Sequence, residues 1–471
     1  MRRARLLPIM LLLAVCLCGA KRPDDVPIPE LTFSPPKTER LVLDNGMVVH
    51  LLEDHELPLF DVVAYFRTGS IYDPEDKIGL AGLTGVVMRT GGTETMTGDE
   101  IDEELEFMAG SVETSIGIEA AIASLSVLKD DIDRGIEIFA DVVRNPAFRD
   151  EKVQLAKNQA LEGIRRRYDT PGGTAAAEFP KLVYGARSPW ARLSTVSTVE
   201  NVVRADMVAF HKKYFHPNNM ILGVAGDFDS KEIVSKIERV FAGWEQAEIA
   251  FPDVGLIEKR FAGSVHHIQR EINQSNIRMG HFGLRRHSPE RYAVNVLNYI
   301  LGLGGFTSRL MREVRSNRGL AYSVGARLGA GTDCGLFYAV CQTKGGTTRE
   351  AIDVMTDVIG SVTEEVVTDE ELKTAKDTLL NSFVFNFQSS TQVASQRVRL
   401  EFFGYPDDYL ETYQANTAAV TAEDVLNAAR KYLHPDTMTI LVVGNSNEFD
   451  KPLSELGPVK EIDIEALKQA R

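Results

Sequence analysis

The sequence predicts an α+β chain made of two homologous halves, each a largely antiparallel sheet with helices. Three observations carry this. First, "KYFHPNNMILGVAG" (Lys213–Gly226) recurs as "KYLHPDTMTILVVG" (Lys431–Gly444) without a gap, and the same offset aligns Asp206 with Asp424. Each copy reads as an amphipathic helix, a His-Pro turn and an apolar strand ending in glycine. Second, several stretches alternate apolar and polar residues as half-buried strands do. Third, strands and helices are interspersed without a strict βαβ rhythm, which argues against a parallel sheet. The duplication places the halves at 38–248 and 260–458. Between them, 249–259 lacks helical periodicity and carries Pro252 and Gly255, as a linker does.

In chain order, "LVLDNGMVVHLLED" reads as a hairpin with Asn45-Gly46 at its turn. "LPLFDVVAYFRTG" reads as a further strand. "TGDEIDEELEFMAG" opens a helix on a capping box of Thr97 and Glu100, and "SVETSIGIEAAIASLSVL" alternates like paired strands. In the second half, "TSRLMREVRSNRG" reads as a helix with Thr307 or Ser308 near its cap and Gly319 as its stop, followed by a strand, "AYSVGARL". "LGLGGFTSRL" lacks the third glycine of a phosphate loop, so Gly304 and Gly305 read as a turn into that helix.

Composition excludes some roles. Of 471 residues, 44% are hydrophobic and 25% charged, and the net charge is −15. With no basic run beyond the N-terminus, nucleic acid is not an expected partner. Residues 1–20 read as a secretory signal: Arg2, Arg3 and Arg5, then an apolar run to Leu17, then Cys18-Gly19-Ala20. A periplasmic location follows. "LAVC" ending at Cys16 also resembles a lipid-anchoring site, so cleavage after Ala20 and lipidation at Cys16 both stand as readings. Cleavage would leave Cys334 and Cys341, which stand in one strand-like run, "CGLFYAVCQT". At about 3.3 Å per residue they are roughly 23 Å apart, beyond disulfide reach.

"LDNGMVVHLLED", "YFRTGSIYDPEDKIGLAGL", "RTGGTETMTGDEID" and "EVRSNRGLAYSV" together resemble the pitrilysin/insulinase group of zinc peptidases, in its short bacterial and mitochondrial-processing-peptidase-like branch. The resemblance spans about Leu31 to Leu456 and implies that the two halves form half of a clamp-like chamber. Active relatives carry H-x-x-E-H on a helix, with two His on zinc, a Glu activating water and a distant Glu completing the site. Here the matching stretch is "GLAGLTGVVMRTGGT". Gly82 and Val86 stand at the His positions, Gly85 at the general-base position and Gly163 at the distal position, with Glu162 one residue off. No metal ligand set is therefore expected in this chain. His216 and His434 read as structural residues of the duplicated turn, and His266 and His267 point to opposite strand faces.

The resemblance also implies two groups that act on substrate. Arg315 and Tyr322 fall at the positions from which an Arg and a Tyr of active relatives reach the scissile peptide, with Arg318 a nearby competitor. On spacing alone, Arg315 would be a solvated helix residue and Tyr322 a core aromatic. Ser111, Val112, Glu113 and Thr114 match the edge strand on which relatives dock an extended peptide. Two functions follow. In the first, the chain is the zinc-free subunit of a two-chain periplasmic peptidase acting on peptides, with zinc in a homologous H-x-x-E-H partner. In the second, it is a non-catalytic binding or assembly protein of peptidase-like fold.

Overall fold

The computed structural model describes residues 33–469; the signal-like segment with Cys16, and the last two residues, lie outside the described residues. The hairpin folds as its sequence dictates. β1 (Glu39–Val42) and β2 (Val48–Glu53) pair antiparallel around Gly46, whose φ of 79° is the left-handed value this turn requires. β3 (Leu59–Arg67), β4 (Ser111–Ile116), β5 (Ala120–Leu128) and β6 (Met220–Gly226) complete a six-stranded sheet of order β1-β2-β6-β3-β5-β4.

The second half repeats this plan. Its strands are β7 (Ser264–Gln269), β8 (Gln274–Phe282), β9 (Leu284–Arg285), β10 (Ala321–Leu328), β11 (Ala330–Gly331), β12 (Leu336–Lys344), β13 (Thr439–Gly444) and β14 (Val459–Glu461). The second sheet runs β14-β7-β13-β8-β12-β10, so β6 matches β13, β3 matches β8 and the edge strand β4 matches β10. Both sheets are largely antiparallel, the exceptions being β2–β6 in the first and the pairs β7 makes with β13 and β14 in the second. Only the far edge differs: β1 arrives from the N-terminal side and is antiparallel to β2, whereas β14 arrives from the C-terminal side. No regular element covers 245–263, between the halves.

The duplicated strands β6 and β13 are buried along their whole length, because each sheet is covered on both faces. One face carries the helices of its own half. The other carries a helix from the opposite half. Helix Ser390–Phe402 lies across β2, β3 and β6, with Val398 and Phe402 packed on Ile221. Helix Pro171–Tyr184 lies on β8 and β13, with Ala175 and Phe179 packed on Ile268, Leu441 and Val443. The exchange is reciprocal.

The capping box at Thr97 forms as expected: Glu100 N–H donates to Thr97 Oγ1 (3.1 Å) and Thr97 N–H to Glu100 Oε2 (2.7 Å). Cys334 and Cys341 are buried free thiols, and burial pushes that of Cys341 up to about 12. The helix expected after Ser308 departs from the sequence reading. Over Met311–Asn317 it widens into a π-helix, as does the turn Tyr299–Leu303 before it. Such bulges gather at functional sites.

Candidate functional site

Helix Leu80–Thr90 is the scaffold on which a zinc motif would stand. It follows Gly79, whose φ is 111°, and is capped from outside by Asp73, which accepts from Gly79 N–H (2.8 Å) and Ala81 N–H (2.9 Å). Burial raises the Asp73 carboxyl from 3.8 to about 6, against the pull of these two bonds and of Arg192. The folded state therefore holds this proton more tightly than the unfolded chain. Between pH 3.8 and about 6, the contribution of Asp73 to stability falls as pH rises. Asp73→Asn keeps an acceptor oxygen but cannot ionise. It should remove about 1–3 kcal/mol of pH dependence across that window, read as the difference between urea midpoints at pH 4 and pH 7. An unchanged difference would show that Asp73 titrates normally.

The four zinc-site positions differ in their surroundings. Gly82, Val86 and Gly163 are exposed, and a Cβ at Gly82 or Gly163 would touch nothing. Gly85 is buried. A Cβ there would sit 2.6 Å from the Ile116 nitrogen and 3.0 Å from the Ser115 carbonyl carbon, so the helix rests directly on the backbone of β4. Thr114 Oγ1 donates to the Gly85 carbonyl (2.6 Å) across this seam. Glu162, the nearest acid to the distal position, is held by Arg166 (2.7 Å). These residues do not fit a zinc ion, and among the described residues no group of three His, Cys, Asp or Glu side chains is placed to hold a metal.

Ser111, Val112, Glu113 and Thr114 lie on β4, at the sheet edge. Arg89 Nε donates to the Val112 carbonyl (2.8 Å), and its NH2 group pairs with Asp102 (2.5 Å). A peptide adding to this edge meets an acceptor already in use.

Arg315 and Tyr322 come together. The Arg315 guanidinium lies 4.9 Å from the Tyr322 ring centroid and 4.8 Å from that of Phe306, a cation between two rings. The local backbone explains the convergence. Arg315 sits in the π-helix, which ends at Asn317 and is closed by Gly319 (φ 65°), whose N–H donates to the Arg315 carbonyl (3.0 Å). The pairing of β10 with β12 slips between Ala321 and Ser323, so Tyr322 is the bulged residue of an edge strand. Bulges re-aim side chains, and Tyr322 is 79% exposed, not the core aromatic its spacing alone would suggest. Arg318 is exposed at the helix end and joins neither ring. Phe306, itself 67% exposed, escapes sequence reading because an apolar residue beside a glycine turn carries no local sign that it will be left in water.

Comparison with known proteins places these features in context. Residues 49–171 match a family model described as insulinase (peptidase family M16), and residues 201–379 match one described as the peptidase M16 inactive domain. An uncharacterised zinc protease of Streptomyces coelicolor is 28% identical over 349 residues, 73% of this chain and 76% of that one. The crystal structure of a peptidase M16 inactive domain from Pseudomonas fluorescens superposes with a TM-score of 0.81 at 27% identity, covering 89% of this chain and 100% of the other. The periplasmic protease PqqL of Escherichia coli shares the fold, with a TM-score of 0.76 at 15% identity over 92% of this chain and 50% of its own length.

Proposed function

The chain belongs to the insulinase (M16) peptidase family, and from that premise we propose that it is the zinc-free subunit of a two-chain periplasmic metallopeptidase acting on peptides. A homologous partner carrying H-x-x-E-H would bring the metal and the general base. This chain would contribute Arg315 and Tyr322, which can donate hydrogen bonds to the peptide carbonyl oxygen as negative charge gathers there. The observation that carries the reading is the asymmetry between the halves. Four zinc-site positions hold Gly or Val, while Arg315 and Tyr322 stand together at the surface, stacked and turned outward.

The test uses the isolated chain, the partner and their mixture on a quenched fluorescent peptide, with elemental analysis of the isolated chain. The chain alone should not cleave and should carry no stoichiometric zinc, and the mixture should far exceed either component. A mixture no more active than the partner alone would leave a non-catalytic binding or assembly role in its place. Mass spectrometry of the native protein then separates a chain starting at Lys21 from one lipidated at Cys16, and an uncleaved Met1 would refute export.

A further inference from the structure

We propose that a second site, remote from Arg315 and Tyr322, binds the carboxylates of an acidic peptide segment. It is a cavity of about 550 Å³ among the end of β10 and helices Asp369–Phe383, Ser390–Phe402 and Tyr409–Ala419. In a chain of net charge −15, the described residues lining it include Arg286, Arg291, Arg327 and Arg399 and no Asp, Glu or Lys.

One of these charges is answered internally. Arg286 pairs with Glu119 (2.7 Å) and stacks 3.9 Å from the Phe403 ring centroid. The other three have no carboxylate partner among the described residues. Arg291 lies over the Tyr292 and Tyr409 rings at 4.8 and 5.2 Å, and its Nε is buried without a hydrogen bond. Arg399 donates to Gln396 Oε1 (2.8 Å), and Arg327 is exposed between buried Ala326 and Leu328 near the end of β10. Guanidinium groups gathered without counter-charge repel one another, and a polar N–H buried without a partner is costly. Both costs are relieved by a bound anion. Burial raises the Tyr409 and Tyr413 hydroxyls above their ordinary range, so both remain protonated and can donate to an anion. The aromatic walls favour a ligand whose charges are set among apolar groups.

That the anion belongs to a peptide rests on the function proposed above, and the geometry agrees. Arg327 and Tyr322 stand on the same edge strand, five residues apart, which is about 17 Å at 3.3 Å per residue. An extended peptide with its backbone at Tyr322 reaches the cavity with a residue about five positions away.

The test is fluorescence anisotropy on the isolated full chain, without metal partner. It uses a labelled Glu-containing peptide, the same peptide with Gln for Glu, and inorganic phosphate as competitor. The acidic peptide should bind about tenfold or more tightly than its Gln counterpart. The double variant Arg327→Gln/Arg399→Gln should abolish that preference and leave the Gln peptide unaffected. Both side chains are exposed, so the variant should fold, which circular dichroism checks. Equal binding of the two peptides, an unaffected double variant, or binding of phosphate without the acidic peptide would each overturn the site. The assay needs no cleavage, so a chain that binds acidic peptide but does not activate a partner sinks only the shared-site reading.

Discussion

Tyr322→Phe should lower kcat of the mixed complex by about 10²–10³, roughly 3–4 kcal/mol, while leaving assembly intact. The substitution removes one hydroxyl and keeps the ring, so the stack with Arg315 survives. What is lost is a donor whose worth lies in being fixed before charge develops on the carbonyl oxygen. Arg315→Ala removes both a donor and the middle of the stack, and should act on kcat and KM together if the guanidinium also holds the substrate backbone. Co-elution with the partner separates a catalytic loss from a failure to assemble. If both variants assemble and cleave at the wild-type rate, the pair does not act on substrate.

The second large effect concerns the glycines. Gly85→Ala should destabilise the chain by about 1–3 kcal/mol, as overpacking does, because the new methyl meets the backbone of β4 rather than a side chain that can turn away. Gly82→Ala and Gly163→Ala stand in open helix interiors and should stabilise by up to about 1 kcal/mol, through helix propensity. Urea midpoints of the three single variants decide this, and a Gly85→Ala midpoint at or above wild type would show that the helix is not seated on β4. The same geometry bears on any attempt to restore H-x-x-E-H here. His at 82 and 86 and Glu at 163 have room, but Glu at 85 requires the helix and edge strand to part.

The sequence made the local features legible and hid the long-range ones. The Asn45-Gly46 turn, the Thr97 cap and the duplicated helix-turn-strand are set by residues within a few positions of one another, and all are where their patterns place them. That Gly82, Gly85, Val86 and Gly163 offer no side-chain donor atoms was legible because residue identity needs no geometry. The close approach at Gly85 was not, since a helical glycine does not declare what lies against it. In the second half, a Cβ at Gly302 would likewise strike the backbone of Ala326 on β10. Each half thus rests a helical glycine on its edge strand, and Gly85 is a packing residue as well as the residue at the general-base position. The arginine cavity gathers residues from 286 to 399, none of which forms a motif, and only the fold brings them together.

The exchanged helices have a consequence for how this protein can be made and moved. Neither half covers the second face of its own sheet, so a cut in the 249–259 segment would strip Ile221 in one fragment and Leu441 in the other of their packing. Fragments produced separately would remain soluble only by finding each other and rebuilding the swap. During synthesis, β6 must wait uncovered until the helix at Ser390–Phe402 has been delivered, which leaves apolar surface exposed on the incomplete chain. Once closed, the interlock leaves little freedom for one half to swing against the other. On the two-chain reading proposed above, any opening that admits a substrate would be a motion of whole chains, at the boundary between the subunits.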